Sequence, residues 1–84
     1  MTLHLRFFAA VRERLGAAER EMDVADGMTV GELWAALCAA QPALAPFATS
    51  LSFAVNHEYV DRQHRLADGD EVAFIPPVSG GCGD

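Results

Sequence analysis

One strongly marked helix among short alternating segments is the feature that most limits how this chain can fold. Thr29 and Glu32 match the capping-box pattern, in which each side chain accepts a hydrogen bond from the other residue's backbone N–H. Apolar residues at positions 30, 33, 34 and 37 then form a stripe at helical spacing, and Pro42 ends the helix near Ala40. Because a single amphipathic helix cannot bury its stripe alone, we expect a sheet to cover it.

The segments around this helix alternate between apolar and polar residues, which is typical of half-buried strands. Strands are predicted at residues 2–7, 19–24, 51–56 and 71–75, with a short return strand at 59–60. A short helix is predicted after the first strand, with its end at Gly16. The order β, short α, β, α, β, short β, β predicts an α+β domain in which a mixed sheet packs on one main helix, as in a ubiquitin-like roll.

The end of the chain has almost nothing to bury. Pro76 and Pro77 stop the last strand and favour an extended backbone, and the letters VSGGCGD follow them. We therefore expect one domain over residues 1–77 and a flexible C-terminal tail over residues 78–84. No apolar run is long enough to cross a membrane, and the first residues do not resemble a signal peptide, so a cytoplasmic location is expected.

Charge and residue spacing argue against several classes of function. Acidic residues outnumber basic ones by 12 to 6, which opposes binding to nucleic acid and suits a partner with a basic groove. The same charge also keeps a small protein in solution. The three histidines match no zinc-ligand spacing and are predicted on the surface, whereas Trp34 and Cys38 are predicted in the core. We expect no bound metal or cofactor, and no catalytic activity of the chain on its own.

The pair Gly80-Gly81 is the unusual feature of the tail. Two consecutive glycines leave a bare backbone, which can enter a channel too narrow for any side chain. A frayed terminus also favours glycine, so the pair by itself leaves both interpretations open.

Two stretches of the sequence resemble a known family. Residues 53–60 read FAVNHEYV and residues 66–81 read LADGDEVAFIPPVSGG, and both are similar to the small subunit of molybdopterin synthase. The opening LRFFAAVRE, at residues 5–13, is similar as well, so the resemblance covers nearly the whole chain. It implies a β-grasp fold and a role as sulfur carrier in molybdenum cofactor synthesis.

The resemblance also implies a mechanism and partners. In that family a ubiquitin-activating-like adenylyltransferase uses ATP to adenylate the last glycine, and sulfur from a sulfurtransferase persulfide replaces the adenylate. The resulting thiocarboxylate enters the large subunit, whose active site passes sulfur to cyclic pyranopterin monophosphate. Carried over, Gly81 accepts the sulfur and Gly80 is the spacer. Phe74, Pro76 and Val78 resemble the family's docking surface, although Phe74 fits a core position equally well.

The chain departs from the family at its end, where Cys82-Gly83-Asp84 follows the glycine pair. A peptide bond then occupies the carboxyl group of Gly81, so we expect a protease to remove the three residues first. Alternatively, Cys82 attacks the preceding carbonyl group and forms a thioester. Three other functions remain open: a sulfur carrier for thiamine, cysteine or a secondary metabolite, a ubiquitin-like modifier joined to lysines through Gly81, or a binding module with an inert tail.

Overall fold

Residues 1–77, which the computed structural model describes, form five strands and two α-helices in the order expected from the sequence. The elements are β1 (Thr2–Phe7), α1 (Ala9–Leu15), β2 (Glu19–Asp23), α2 (Val30–Ala40), a 3₁₀ helix (Pro42–Phe47), β3 (Ser52–Val55), β4 (Glu58–Val60) and β5 (Glu71–Ile75). Gly16 ends α1 in the left-handed conformation, with φ of 81°, as predicted. The segment between α2 and β3 is largely a 3₁₀ helix, which begins at Pro42.

The last strand lies in the middle of the sheet. The strand order is β2-β1-β5-β3-β4, and β5 runs parallel to β1 and antiparallel to β3. Leu5 pairs with Val72 and Phe7 pairs with Phe74, which places these apolar side chains on one face. This mixed sheet with one main helix confirms the predicted α+β class and has the topology of a β-grasp fold.

An aromatic cluster joins the sheet to α2. The ring centroid of Phe74 lies 5.4 Å from that of Phe7, 5.6 Å from that of Trp34 and 5.8 Å from that of Phe53. All four side chains are buried, and Phe74 is 0% exposed. The predicted apolar stripe of α2 is confirmed, since Val30, Leu33, Trp34 and Leu37 are its buried residues.

The start of α2 carries the capping box that the sequence predicted. The Thr29 hydroxyl oxygen accepts a hydrogen bond from the Glu32 N–H at 3.2 Å, and the Glu32 carboxylate accepts one from the Thr29 N–H at 2.9 Å. The next backbone groups are held by a neighbouring loop, because the Gly31 N–H donates to the Arg62 carbonyl oxygen at 2.8 Å. This end of the helix is therefore fixed by both local and distant contacts.

Replacing Thr29 with alanine is expected to lower the free energy of unfolding by about 1 kcal/mol, because a helix N–H then loses its acceptor. Chemical denaturation followed by circular dichroism measures this loss. The matched control is Thr29→Ser, which keeps the hydroxyl oxygen and should retain most of the stability. An equal loss in both variants would contradict a role for the hydroxyl.

Within residues 1–77, no helix is both long enough and apolar enough to cross a membrane.

Candidate functional site at the end of the last strand

The candidate site begins where β5 leaves the sheet. The pairing of β1 with β5 ends at Phe7 and Phe74. Because the two strands are parallel, the next residues, Phe8 and Ile75, lie at the same end of the strands. Ile75 also pairs with Ser52 of β3, so the sheet holds β5 up to Phe74 on the β1 side and up to its final residue on the β3 side. The chain that follows Pro77 is thus attached at a fixed point in the centre of the fold.

Several predicted site residues lie outside the described residues. Gly80 and Gly81, the docking residue Val78 and the processing residue Cys82 all fall there, as does the predicted flexible tail over residues 78–84. The structure locates the position from which this segment extends, and the roles of its residues stay predictions.

The structure corrects the predicted docking surface at Phe74. This side chain is completely buried among the aromatic rings beneath the sheet, so a partner cannot reach it in the folded domain. The physical reason is the pairing with Phe7, which turns Phe74 toward α2 rather than toward solvent. Pro76 is also buried, although it lines a cleft beside the end of the strand.

An apolar cleft of about 710 Å³ lies beside this point of attachment. It is enclosed by α1, the 3₁₀ helix and the residues after β5, and its apolar walls include Phe8, Phe47, Ile75 and Pro77. The Arg14 guanidinium carbon lies 5.8 Å from the Phe47 ring centroid, so a cation–π contact supports the wall and brings a positive charge to the cleft.

A second, smaller depression of about 210 Å³ lies on the open face of the sheet. Tyr59 lines it and is 74% exposed, and Phe8, which is 37% exposed, lies between this depression and the cleft. Arg6 lies over the Phe8 ring at 5.5 Å and forms an ion pair with Glu71 at 3.4 Å.

We call the residues around the point of attachment the tail-root surface; they are Phe8, Phe47, Tyr59, Ile75 and Pro77. Sequence reasoning missed Tyr59 as a surface residue with a possible function. A sequence signal was present, because successive side chains of a short strand point to opposite faces, and one of the two faces is open to solvent. In the structure Tyr59 pairs with Ala54 on this edge strand, and its ring turns away from the helix. Large exposed aromatic side chains are typical of protein interfaces.

The described side chains around the site supply no strong nucleophile. Cys38 of α2 packs against the core, as predicted, and burial raises the pKa of its thiol, while the nearby charge of Arg62 partly opposes that rise. Among residues 1–77, no group of three His, Cys, Asp or Glu side chains is placed to hold a metal ion. The described part of the site presents exposed aromatic rings beside an apolar cleft, which are features suited to contact with a partner.

Comparisons with known proteins agree with this arrangement. Residues 5–81 match the model of the ThiS family. The chain is 43% identical over 83 residues to a protein of Chlamydomonas reinhardtii named molybdopterin synthase sulfur carrier subunit, covering 96% of this chain and 100% of that one. It is 47% identical over 77 residues to the Escherichia coli protein of the same name, covering 89% and 94% of the two chains.

Solved structures show the same fold. The small archaeal modifier protein 1 of Haloferax volcanii superposes with a TM-score of 0.79 at 29% identity, covering 92% of this chain and 98% of that one. Since the family model matches nearly the whole chain and the named relatives align with it almost end to end, the chain belongs to the ThiS family.

Proposed function

We propose that this chain is the sulfur carrier subunit of a molybdopterin synthase and that it works in the cytoplasm. The observation that carries the proposal is the Gly80-Gly81 pair, which follows the central strand of a ThiS-family domain after a short proline-containing connection. The relatives that match over nearly their whole length are named for this role.

The proposed chemistry takes place at the carboxyl group of Gly81. The carboxylate oxygen attacks the α-phosphorus of ATP on an adenylyltransferase, and pyrophosphate leaves. The terminal sulfur of a sulfurtransferase persulfide then attacks the carbonyl carbon, a C–S bond forms, and the C–O bond to AMP breaks, which leaves an acyl disulfide between the two proteins. A second thiol then attacks the sulfurtransferase sulfur of this disulfide. The S–S bond breaks, the thiocarboxylate leaves, and the attacking thiol is oxidised to a disulfide with the sulfurtransferase. This activation is needed because a free carboxylate is a poor electrophile. The ATP is a substrate of the activating enzyme and does not bind to this chain as a cofactor.

The chain itself contributes position rather than catalysis. A thiocarboxylate attached to a folded domain reaches its acceptor already tethered and oriented, which lowers the entropic cost of the transfer. In this proposal the active site lies on the large subunit, which accepts the Gly-Gly segment and transfers the sulfur to cyclic pyranopterin monophosphate. Gly80 serves as the spacer, because it adds length without a side chain.

The large subunit is proposed to cover the tail-root surface. This surface surrounds the root of the inserted segment and carries the exposed rings of Phe8 and Tyr59. The formal charge of −6 on the whole chain favours a partner with a basic groove. Pro76 and Val78 remain proposed members of the contact, whereas Phe74 does not.

Replacing Tyr59 with alanine is expected to weaken binding to the large subunit by about tenfold, or about 1.4 kcal/mol, because an exposed aromatic contact is lost. Isothermal titration calorimetry measures the affinity. Since the side chain is 74% exposed, the free energy of unfolding should not change. Tyr59→Phe is the matched control and should bind nearly as well as the wild type. Unchanged affinity in the alanine variant would place the interface elsewhere.

The proposal requires removal of Cys82-Gly83-Asp84, and the intact mass of the protein purified from its own host tests it. We expect loss of the three residues and, in part of the sample, replacement of one oxygen by sulfur. Only the full 84-residue mass, in cells that are making the cofactor, would contradict the proposal. Normal trimming of a Cys82→Ser variant would rule out a thioester formed by Cys82.

A second candidate function is that of a ubiquitin-like protein modifier. The 29% identity and shared fold with small archaeal modifier protein 1 favour it. It predicts conjugates of higher mass in a cell extract that disappear when Gly81 is deleted. A carrier for another sulfur pathway is distinguished by its gene neighbourhood, which would then lack a gene for the large synthase subunit.

A further inference from the structure

All six basic residues of this chain are arginine, and its 84 residues include no lysine. The two side chains differ in reactivity as well as in shape. A lysine amine loses its proton readily enough to act as a nucleophile, whereas an arginine guanidinium stays protonated in proteins. The chain therefore carries positive charge without any side-chain amine that could attack an activated acyl group.

Four of the six arginines occupy positions that use the guanidinium group. Three of them lie over aromatic rings, at 5.5, 5.8 and 5.1 Å from the ring centroids: Arg6 over Phe8, Arg14 over Phe47 and Arg62 over Phe53. The Arg65 Nη1 group donates to the Gly27 carbonyl oxygen at 3.1 Å. Planar, stacked contacts of this kind are ones that lysine reproduces poorly.

The amino group of Met1 is held by the fold. It donates to the Val24 carbonyl oxygen at 2.8 Å and forms an ion pair with the Asp26 carboxylate at 3.3 Å. The contact with Val24 is partly buried and joins the residue before β1 to the residue after β2. An amine in these contacts must leave them before it can attack a carbonyl carbon.

We infer that the chain donates its C-terminal acyl group but cannot accept one on a side-chain amine, so that carriers do not become joined to one another. This inference rests on the proposed activation of Gly81. In the reaction that is avoided, an amine nitrogen attacks the Gly81 carbonyl carbon. A C–N bond forms, the C–O bond to AMP breaks, and the amine releases a proton to water.

The same inference predicts how many copies of the chain each modified site of another protein can carry. If the chain is joined to another protein through Gly81, it offers no lysine for the next copy. Each modified site then carries a single copy, because chain growth needs an acceptor amine on the copy already attached. The Cys38 thiol adds little competition, since it is half-buried against the core and burial raises its pKa.

The test compares the wild type with the double variant Arg12→Lys, Arg20→Lys. Both arginines are exposed, neither belongs to the tail-root surface, and the substitutions keep the net charge. The chain ending at Gly81, which keeps every residue that the structure describes, is incubated with the activating enzyme and ATP. We expect covalent dimers, with the mass of two chains less one water, in the lysine variant and none in the wild type.

Two results would overturn the inference: dimers in the wild type at the rate seen in the variant, or no dimers in either protein despite release of pyrophosphate. A carbodiimide, which activates carboxylates without an enzyme, gives an independent measurement on the full chain. It should join copies of the lysine variant and leave the wild type monomeric. If the enzyme releases no pyrophosphate but the carbodiimide result holds, the proposed carrier function fails while the lack of an acceptor stands.

Discussion

Deletion of Gly80 and Gly81 from the trimmed chain is expected to abolish sulfur transfer and to leave the free energy of unfolding unchanged. In the proposed chemistry the sulfur is held as a thiocarboxylate on Gly81, so without this residue the carrier has no acyl group at the right distance from the domain. Every core residue among residues 1–77 is retained in the shortened chain, so we expect the packing of this core to be kept. Synthesis of molybdopterin in a mixture of purified components measures the activity, and chemical denaturation measures the stability.

The control for this deletion is the chain that lacks only Cys82-Gly83-Asp84. It should accept sulfur without a protease, because its Gly81 carboxyl group is already free. Sulfur transfer by the chain without the glycine pair would contradict the assignment of Gly81. Transfer by the full 84-residue chain, with no trimming detected, would contradict the need for processing.

Replacing Phe74 with alanine is expected to lower the free energy of unfolding by about 3–5 kcal/mol, because it opens a cavity where three aromatic rings meet. Domains of this size have a total stability near the lower end of about 5–15 kcal/mol, so a large share of the molecules would unfold. The effect is large because Phe74 lies on the central strand and contacts both the sheet and α2. Denaturant unfolding measures it.

The matched control is Phe74→Leu, which keeps most of the buried volume and should cost clearly less. The two interpretations of Phe74 give opposite results. If the side chain served as a docking residue, alanine would weaken binding to the large subunit and leave stability unchanged. That outcome would contradict the buried position described above.

The local elements could be predicted because short-range chemistry determines them. The capping box at Thr29 fixed the start of α2, and alternation indicated every strand to within one or two residues. The buried face of each strand was harder to predict. Alternation with a period of two places Val72 and Phe74 on the same face of β5, but it does not indicate which face the helix covers. Parallel pairing of β1 with β5 supplies that information, and it joins residues far apart in the sequence.

One part of the candidate site could likewise be predicted from the sequence, and another part could not. The Gly-Gly pair could be recognised from the sequence because bare backbone and a family resemblance both mark it. The tail-root surface could not, because Phe8, Phe47 and Tyr59 come from three separate segments that only the folded sheet brings together. The stacking of Arg14 on Phe47 and of Arg62 on Phe53 was equally hidden, since each ring belongs to a different element of the fold from its arginine.

The pairing of the first strand with the last also has a consequence for how the protein is made. A ribosome completes β1 long before β5, and the ion pair of Arg6 with Glu71 joins residues 65 positions apart. Contacts between such distant residues form late and slow the folding reaction. An unfinished or prematurely ended chain lacks both its central strand and the glycine pair beyond it. In the proposed role, a prematurely ended chain therefore presents no carrier terminus to the activating enzyme.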